Sequence, residues 1–162
     1  MNSNYSANSN NPRMAPLDRS HLSAHLRRLI DFFEHLTDET AREIDQFYVT
    51  QAYFKDPFNE VNSVIEIRRI FQDMFVHVIN PRFVVHTAIE QDRQVFIAWD
   101  FLFEMHRFKK GETQCVRGSS HLQFNEEGKV VFHRDYWDAA EELYEKIPML
   151  GGLMRMIKKR AA

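Results

Sequence analysis

Apolar residues in the first half of the chain recur every three or four positions, which is the spacing of one face of an α-helix. A first helix is predicted after Ser20, which is suited to cap it, with an apolar face made of Leu22, Leu26, Leu29, Ile30, Phe33 and Leu36. A second is predicted from Asp38, with an apolar face made of Ala41, Ile44, Phe47 and Tyr48. A third begins at the capping-box sequence 63–66 and ends at Asn80–Pro81. A short strand over 51–56 is predicted before it, because Pro57 disfavours helix at the preceding residue.

Beyond Pro81 the apolar residues alternate, with the period of two that is typical of β-strands. Four strands are predicted, over 82–90, 94–107, 113–124 and 129–137. The turns between them are short, which indicates antiparallel hairpins. Helices followed by a meander of strands predict an α+β fold. A strongly curved mixed or antiparallel sheet would wrap around the N-terminal helices as a cone, and a helical tail would follow.

The strand over 94–107 is apolar on one face and partly apolar on the other. We therefore expect helices on one side of the sheet and another subunit or a long helix on the other. A homodimer through this sheet face is expected, because an aromatic face is better buried in a two-fold interface than left in water.

The ends of the chain differ in composition from the predicted domain, which covers 18–147. Residues 1–17 are rich in Asn and Ser and lack the apolar core of a secretory signal, so a disordered tail is predicted. Residues 148–162 form a basic amphipathic tail. This tail could pack on a partner subunit, fray, or, as the less favoured alternative, touch an anionic membrane surface.

Composition narrows the class of function. The formal net charge of −2 gives no general reason to expect nucleic acid, and no apolar stretch is long enough to span a membrane. The single cysteine, Cys115, excludes an internal disulfide and agrees with a cytoplasmic protein. The eight histidines show no metal-binding spacing, so neither a metal nor a cofactor is predicted. The 14 phenylalanines suit a lined cavity or an extensive interface.

Two acids stand among aromatic residues at the ends of predicted strands, Asp56 near the first and Asp135 near the last. Acids in apolar settings are costly unless they are paired, so both are candidates for a cavity wall. Asp56 could act as a general base desolvated by Phe54 and Phe58. It could equally be a turn aspartate that accepts hydrogen bonds from backbone N–H groups.

The last predicted strand places His133, Asp135 and Trp137 on one face. The carboxylate could orient the imidazole, and the indole could form a flat wall for a ring-shaped ligand. A purely structural polar network is the alternative. Asp100, in an apolar strand, could contact a ligand or form a buried ion pair with Arg117 on the neighbouring strand.

The order of elements and two local patterns resemble the nuclear-transport-factor-2-like superfamily over roughly residues 18–147. One pattern is Phe54-Lys55-Asp56-Pro57-Phe58, and the other is the closing hairpin that contains His121-Leu122-Gln123-Phe124 and Asp135-Tyr136-Trp137. The superfamily includes ketosteroid isomerases, SnoaL-like polyketide cyclases and limonene epoxide hydrolases. The resemblance implies the cone-shaped fold, whereas the activity is open because this fold carries many functions.

The resemblance also implies roles for single residues. In the isomerases an Asp directly before a Pro is the general base, and Asp56 matches it. The two oxyanion-hole positions of those enzymes fall at Phe32 and Ser120, so steroid isomerase activity is not expected. In SnoaL-like cyclases an Asp on the last strand and a His on the strand before it match Asp135 and His121. The Asp-Arg-Asp group of the epoxide hydrolases could be imitated by Asp100, Arg117 and Asp135.

We therefore expect a small cofactor-independent acid/base enzyme of the isomerase, cyclase or hydrolase type. Its substrate would be a hydrophobic small molecule, either ring-containing or lipid-like. Proton transfer is assigned to Asp56 and Asp135, with help from His121 or His133. The substrate-binding residues are predicted to be Phe32, Phe54, Phe58, Trp99, Asp100, Ser120 and Trp137. The alternatives are a non-catalytic binding protein and a dimeric interaction module without an open pocket.

Overall fold

Among the described residues, the helices and two strands come before residue 78, and the other four strands of the same sheet follow. The computed structural model describes residues 17–106 and 111–139. The helical elements are α1 Ala24–Glu34, α2 Asp38–Ala41, a 3-10 turn Ile44–Gln46 and α3 Val64–His77. The strands are β1 Tyr48–Lys55, β2 Glu60–Val61, β3 Val78–Gln91, β4 Gln94–Met105, β5 Gln114–Phe124 and β6 Val130–Tyr136.

The sheet has six strands in the order β2-β1-β6-β5-β4-β3. Only the β1–β6 pair is parallel among the described strands, so the sheet is mixed. Its two edges, β2 and β3, do not pair with each other in the described part of the chain. The result is the predicted α+β cone, formed by a curved sheet that stays open.

The helix starts differ from the sequence-based assignment. The cap of α1 is Ser23 rather than Ser20, because the Ser23 hydroxyl accepts the Leu26 N–H at 3.2 Å. Thr37 caps α2 in a reciprocal pair with Thr40, and Asp38 lies in the first turn. The apolar positions assigned to one long second helix are divided among α2, the 3-10 turn and β1, which begins at Tyr48. All of these elements present their apolar residues to the same core, so helical spacing alone did not reveal the break.

The third helix ends at His77, three residues before the predicted stop. Strand β3 begins at once and passes through Asn80, which adopts φ 52°, and Pro81. The pairing with β4 shifts between Ile79 and Arg82. A proline has no N–H to donate to a sheet, and this irregularity is where it can be accommodated.

Helix α1 is fixed along β3 by apolar packing and by two glutamates. Its buried residues are Leu26, Leu29, Ile30 and Phe33. At its start, Ser23 donates to Glu90 through both its N–H, at 2.8 Å, and its hydroxyl, at 2.7 Å. At its end, Glu34 accepts the Val85 N–H at 2.9 Å, next to a second register shift in β3. These contacts hold the C-terminal turn of α1 over the sheet.

None of the described helices is long and apolar enough to cross a membrane. The assigned tails lie outside the described residues, apart from Leu17, and so does the predicted domain end at residue 147.

Candidate functional site

A cavity of about 770 Å³ lies between α3 and the inner, helix-facing side of the sheet. Strand β4 shows why its wall is apolar, since alternate residues Trp99, Phe101, Phe103 and Met105 all line it. Helix α3 closes the opposite side with Phe71 and other apolar residues. The volume falls within the ~300–1,000 Å³ typical of small-molecule sites.

A chain of five hydrogen-bonded side chains crosses the inner end of this cavity. The Trp99 indole N–H donates to the Ser120 hydroxyl at 2.8 Å, and this hydroxyl donates to Asp135 Oδ1 at 2.5 Å. His133 Nε2 lies 2.8 Å from the same Oδ1. The Tyr48 hydroxyl lies 2.6 Å from His133 Nδ1. We call these five residues the Asp135 network.

An ionised Asp135 sets the direction of the bonds that reach it. A carboxylate only accepts, so His133 donates its Nε2 proton to Oδ1. In a neutral ring, Nδ1 is then the acceptor for the Tyr48 hydroxyl proton. The histidine is held further by the rings of Phe54 and Phe33, with centroids at 4.9 and 5.9 Å. Every nitrogen of the buried imidazole is therefore bonded.

Tyr48 is suited to remain a donor. Burial raises its pKa well above the ordinary value of 10.0, and the negative charge of Asp135 raises it further. The phenol therefore stays protonated, and its proton is available to His133 Nδ1.

Asp135 differs from its partners because it has a free acceptor atom. Both of its described bonds end on Oδ1, and no hydrogen bond from the described residues reaches Oδ2. Its side chain is 16% exposed and lines the large cavity. It also borders an inner recess of about 20 Å³, which has room for about one water. Oδ2 is thus available to a ligand or to a water.

Asp56 lines the same cavity, but its carboxylate is occupied by its own turn. Oδ1 accepts the backbone N–H groups of Phe58 at 2.7 Å and Asn59 at 2.6 Å. The Asn59 amide also donates to both oxygens, at 3.0 and 2.9 Å. This is the arrangement of a turn aspartate before a proline.

His121 and Asp100 lie on the outer face of the sheet, away from the cavity. In the regular β4–β5 register, Ser120 pairs with the inward-facing Ile97, and His121 pairs with the outward-facing Phe96. The His121 ring stacks on Phe96 with centroids 4.4 Å apart, and its Nε2 lies 2.7 Å from the Gln94 side-chain oxygen. Simple alternation therefore separates His121 from Asp135, although they are on adjacent strands.

Asp100 is buried on that outer face. It lies opposite Arg117 across β4 and β5, as the sequence predicted, and 3.2 Å from His86 Nε2. A substrate contact from Asp100 inside the cavity is therefore excluded by the direction in which β4 alternates.

The structure places four of the five predicted aromatic binding residues in the cavity wall. Phe54, Phe58, Trp99 and Trp137 line the cavity, with Phe58 and Trp137 edge to face at 5.4 Å. Phe32 does not line it; its ring stacks on Phe47 at 4.2 Å. The next residue, Phe33, borders the inner recess instead. One residue along a helix turns the side chain by about 100°, so Phe33 shares the buried face of Leu26, Leu29 and Ile30, whereas Phe32 does not.

Sequence reasoning missed the roles of Tyr48, Phe33 and Phe71. Tyr48 had been assigned to a helix, which hid its position on β1 beside β6. Phe33 and Phe71 read as ordinary core residues, and their helical spacing gives no sign of a neighbouring cavity. Within the described residues, no group of three or more His, Cys, Asp or Glu side chains is arranged to hold a metal ion.

Comparison with known proteins supports the fold. A family model for the SnoaL-like domain matches residues 29–133. No curated protein matches the sequence.

Among solved structures, a provisionally assigned SnoaL-like polyketide cyclase from Shewanella putrefaciens CN-32 superposes with a TM-score of 0.64 at 15% identity, covering 79% of this chain and 98% of that one. An LEH-like epoxide hydrolase from M. tuberculosis superposes with a TM-score of 0.61 at 13% identity, covering 83% of this chain and 96% of that one. A protein with a ketosteroid isomerase-like fold from Catenulispora acidiphila DSM 44928, in complex with trimethylamine, gives 0.63 at 9% identity, covering 74% and 89%. Identities this low establish a shared fold and leave the chemistry to this chain's own residues.

Proposed function

From the premise that this chain belongs to the SnoaL-like domain family, we propose that it is a small cofactor-independent acid/base enzyme. Its substrate is an apolar molecule, ring-containing or lipid-like, held in the 770 Å³ cavity. The observation that carries the proposal is the Asp135 carboxylate, which lines that cavity with Oδ1 held by Ser120 and His133, while Oδ2 accepts no hydrogen bond from the described residues.

In this proposal Asp135 is the proton acceptor and donor. A carboxylate whose second oxygen is fixed by two donors has one orientation, which is what a general base needs toward a carbon acid or a water. The other four members of the network are positioning residues. His133 and Ser120 contact Oδ1 directly, and Tyr48 and Trp99 hold His133 and Ser120 in place. Asp56, with both oxygens bonded within its turn, shapes the cavity mouth and takes no part in proton transfer.

Isomerisation, cyclisation and water addition all begin with such a proton transfer. The inner recess borders Asp135, so a single water could lie beside Oδ2 without leaving the site. This arrangement favours water addition as much as removal of a proton from carbon.

A non-catalytic carrier of hydrophobic molecules is the second candidate. It is favoured by the completeness of the Asp135 network, in which four of the five side chains are already satisfied without a substrate. In a carrier, Oδ2 would only anchor a donor group of the ligand.

The test uses 5-nitrobenzisoxazole, an apolar bicyclic compound that a positioned carboxylate converts by removing its C–H proton as the ring N–O bond breaks. Product phenolate absorbance gives the rate, and fluorescence quenching at the two tryptophans, both in the cavity wall, gives binding. We expect Asp135→Asn to lower kcat/KM by about 10²-fold or more, which is the usual worth of a positioned base. Binding should change little, because the amide oxygen can replace Oδ1.

The matched control is Asp92→Asn, in the exposed β3–β4 turn at φ 55°, a conformation that Asn adopts as readily as Asp. It should leave both rate and binding unchanged. Saturable binding with equal rates for the wild type and Asp135→Asn would favour the carrier and contradict the enzyme.

A further inference from the structure

The polar part of the cavity wall is acidic. Its carboxylates come from three elements and belong to Asp56, Asp73 and Asp135. The other polar side chains of the lining are Asn59, His77 and His106. No lysine or arginine among the described residues lines the cavity.

This excess of acidic over basic side chains matters most at Asp135. Its described hydrogen-bond partners are the Ser120 hydroxyl and the His133 imidazole, and no lysine or arginine side chain is among them. Its side chain is largely removed from water, where the interaction of a carboxylate with another charged group is strong. A positive group in the cavity would be attracted to it, whereas a second anion would be repelled.

The apolar part of the wall is suited to the same ligand. Eight aromatic residues line the cavity: Phe54, Phe58, Phe71, Phe83, Trp99, Phe101, Phe103 and Trp137. Aromatic faces attract ammonium groups, tryptophan most strongly, and the attraction increases when water is excluded. Trp137 lies two residues from Asp135 on the same face of β6 and its extension, so an indole and a carboxylate meet at one side of the cavity.

We infer that the ligand of this cavity is an apolar amine or quaternary ammonium compound rather than a carboxylate or phosphate ester. The inference rests on the cavity of the proposed function and specifies the charge of its substrate. It explains why a wall rich in phenylalanine carries three carboxylates and, in its described part, neither lysine nor arginine.

Three compounds with one hydrocarbon body provide the test: 1-adamantanamine, 1-adamantanol and 1-adamantanecarboxylate. They differ only in carrying a positive, a neutral or a negative head group at pH 7.5. Isothermal titration calorimetry with the full chain measures each dissociation constant. We expect the amine to bind about tenfold more tightly than the alcohol, and the carboxylate more weakly than both, as expected for one partly buried charge interaction.

Asp135→Asn should raise the dissociation constant of the amine toward that of the alcohol, because the charged head group interacts with the carboxylate. The dissociation constant of the alcohol should change by no more than about twofold. Asp92→Asn, the same change of charge far from the cavity, should affect neither. Equal affinities for all three compounds, or the carboxylate binding most tightly, would overturn the charge inference while leaving the cavity intact. No saturable binding of any compound would contradict the cavity itself, and with it the proposed function.

Discussion

At the scale of single residues, the site depends on which atoms of each acid are already bonded. Asp56 and Asp135 are both aspartates in an aromatic setting, and both are candidate bases from the sequence alone. The structure separates them, because three N–H groups of a local turn occupy Asp56, whereas only Oδ1 of Asp135 is held. A turn aspartate before proline is a local feature, so the non-catalytic alternative for Asp56 was available from the sequence.

Tyr48→Phe tests the outer end of the Asp135 network. The change leaves His133 Nδ1 without its donor, and we expect the free energy of unfolding to fall by about 1–3 kcal/mol at pH 8. Urea unfolding of the wild type and the variant measures it.

The pH dependence gives a second check on the same variant. The folded wild type keeps the Tyr48 proton above pH 10, where the unfolded chain loses it, so its stability falls as pH rises from the unfolded pKa toward the raised folded pKa. The phenylalanine variant has no hydroxyl to titrate, so its free energy of unfolding lacks this decrease. The difference in free energy of unfolding between the two proteins should therefore shrink between pH 9 and about 11. Parallel pH profiles would show that the Tyr48 hydroxyl is not buried as described.

At the scale of elements, period-two alternation predicted which side chains of the last strand share a face. It placed His133, Asp135 and Trp137 together, and both Asp135 and Trp137 line the cavity with His133 behind them. The same alternation along β5 places His121 on the face opposite the buried Ser120 and Leu122, whereas the family resemblance had placed it beside Asp135. The long second helix was misassigned because buried positions in a turn and a strand imitated helical spacing.

Gly118 on β5 supports the network through Trp99. It lies opposite Trp99 in the register, and a Cβ built on it would come within 2.4 Å of the indole ring. We expect Gly118→Ala to displace the indole, weaken its bond to Ser120 and lower stability by about 1–3 kcal/mol, the usual cost of overpacking. Urea unfolding and the emission wavelength of the tryptophans measure both effects.

Ser119→Ala is the matched control, on the same strand but facing outward. It should change neither stability nor emission appreciably. An unchanged Gly118→Ala protein would mean that the indole has room to move.

At the scale of the whole molecule, the outer face of the sheet carries exposed apolar side chains. Ile89, Phe96 and Tyr136 are 63%, 49% and 45% exposed, and Ile89 and Phe96 are paired across β3 and β4. We propose that a second copy of the chain covers this face, because a sheet face can complement itself about a two-fold axis. The inner face is already occupied by helices and the cavity.

Phe96→Glu should convert the dimer to a monomer, since it places two like charges near the proposed two-fold axis. Size-exclusion chromatography with light scattering gives the molar mass. Val76→Glu, at a 70% exposed position on α3, is the matched control and should remain dimeric. A wild-type protein that is monomeric at high concentration would contradict this interface.

The most direct measurement for the whole account is the ratio of kcat/KM between Asp56→Asn and Asp135→Asn with 5-nitrobenzisoxazole. If Oδ2 of Asp135 is the base, the Asp56 variant should retain a rate within about tenfold of the wild type, while the Asp135 variant loses about 10²-fold or more. A larger loss from the Asp56 variant, with the protein still folded and binding the compound, would transfer the base to the turn and contradict the assignment made from the Asp135 network.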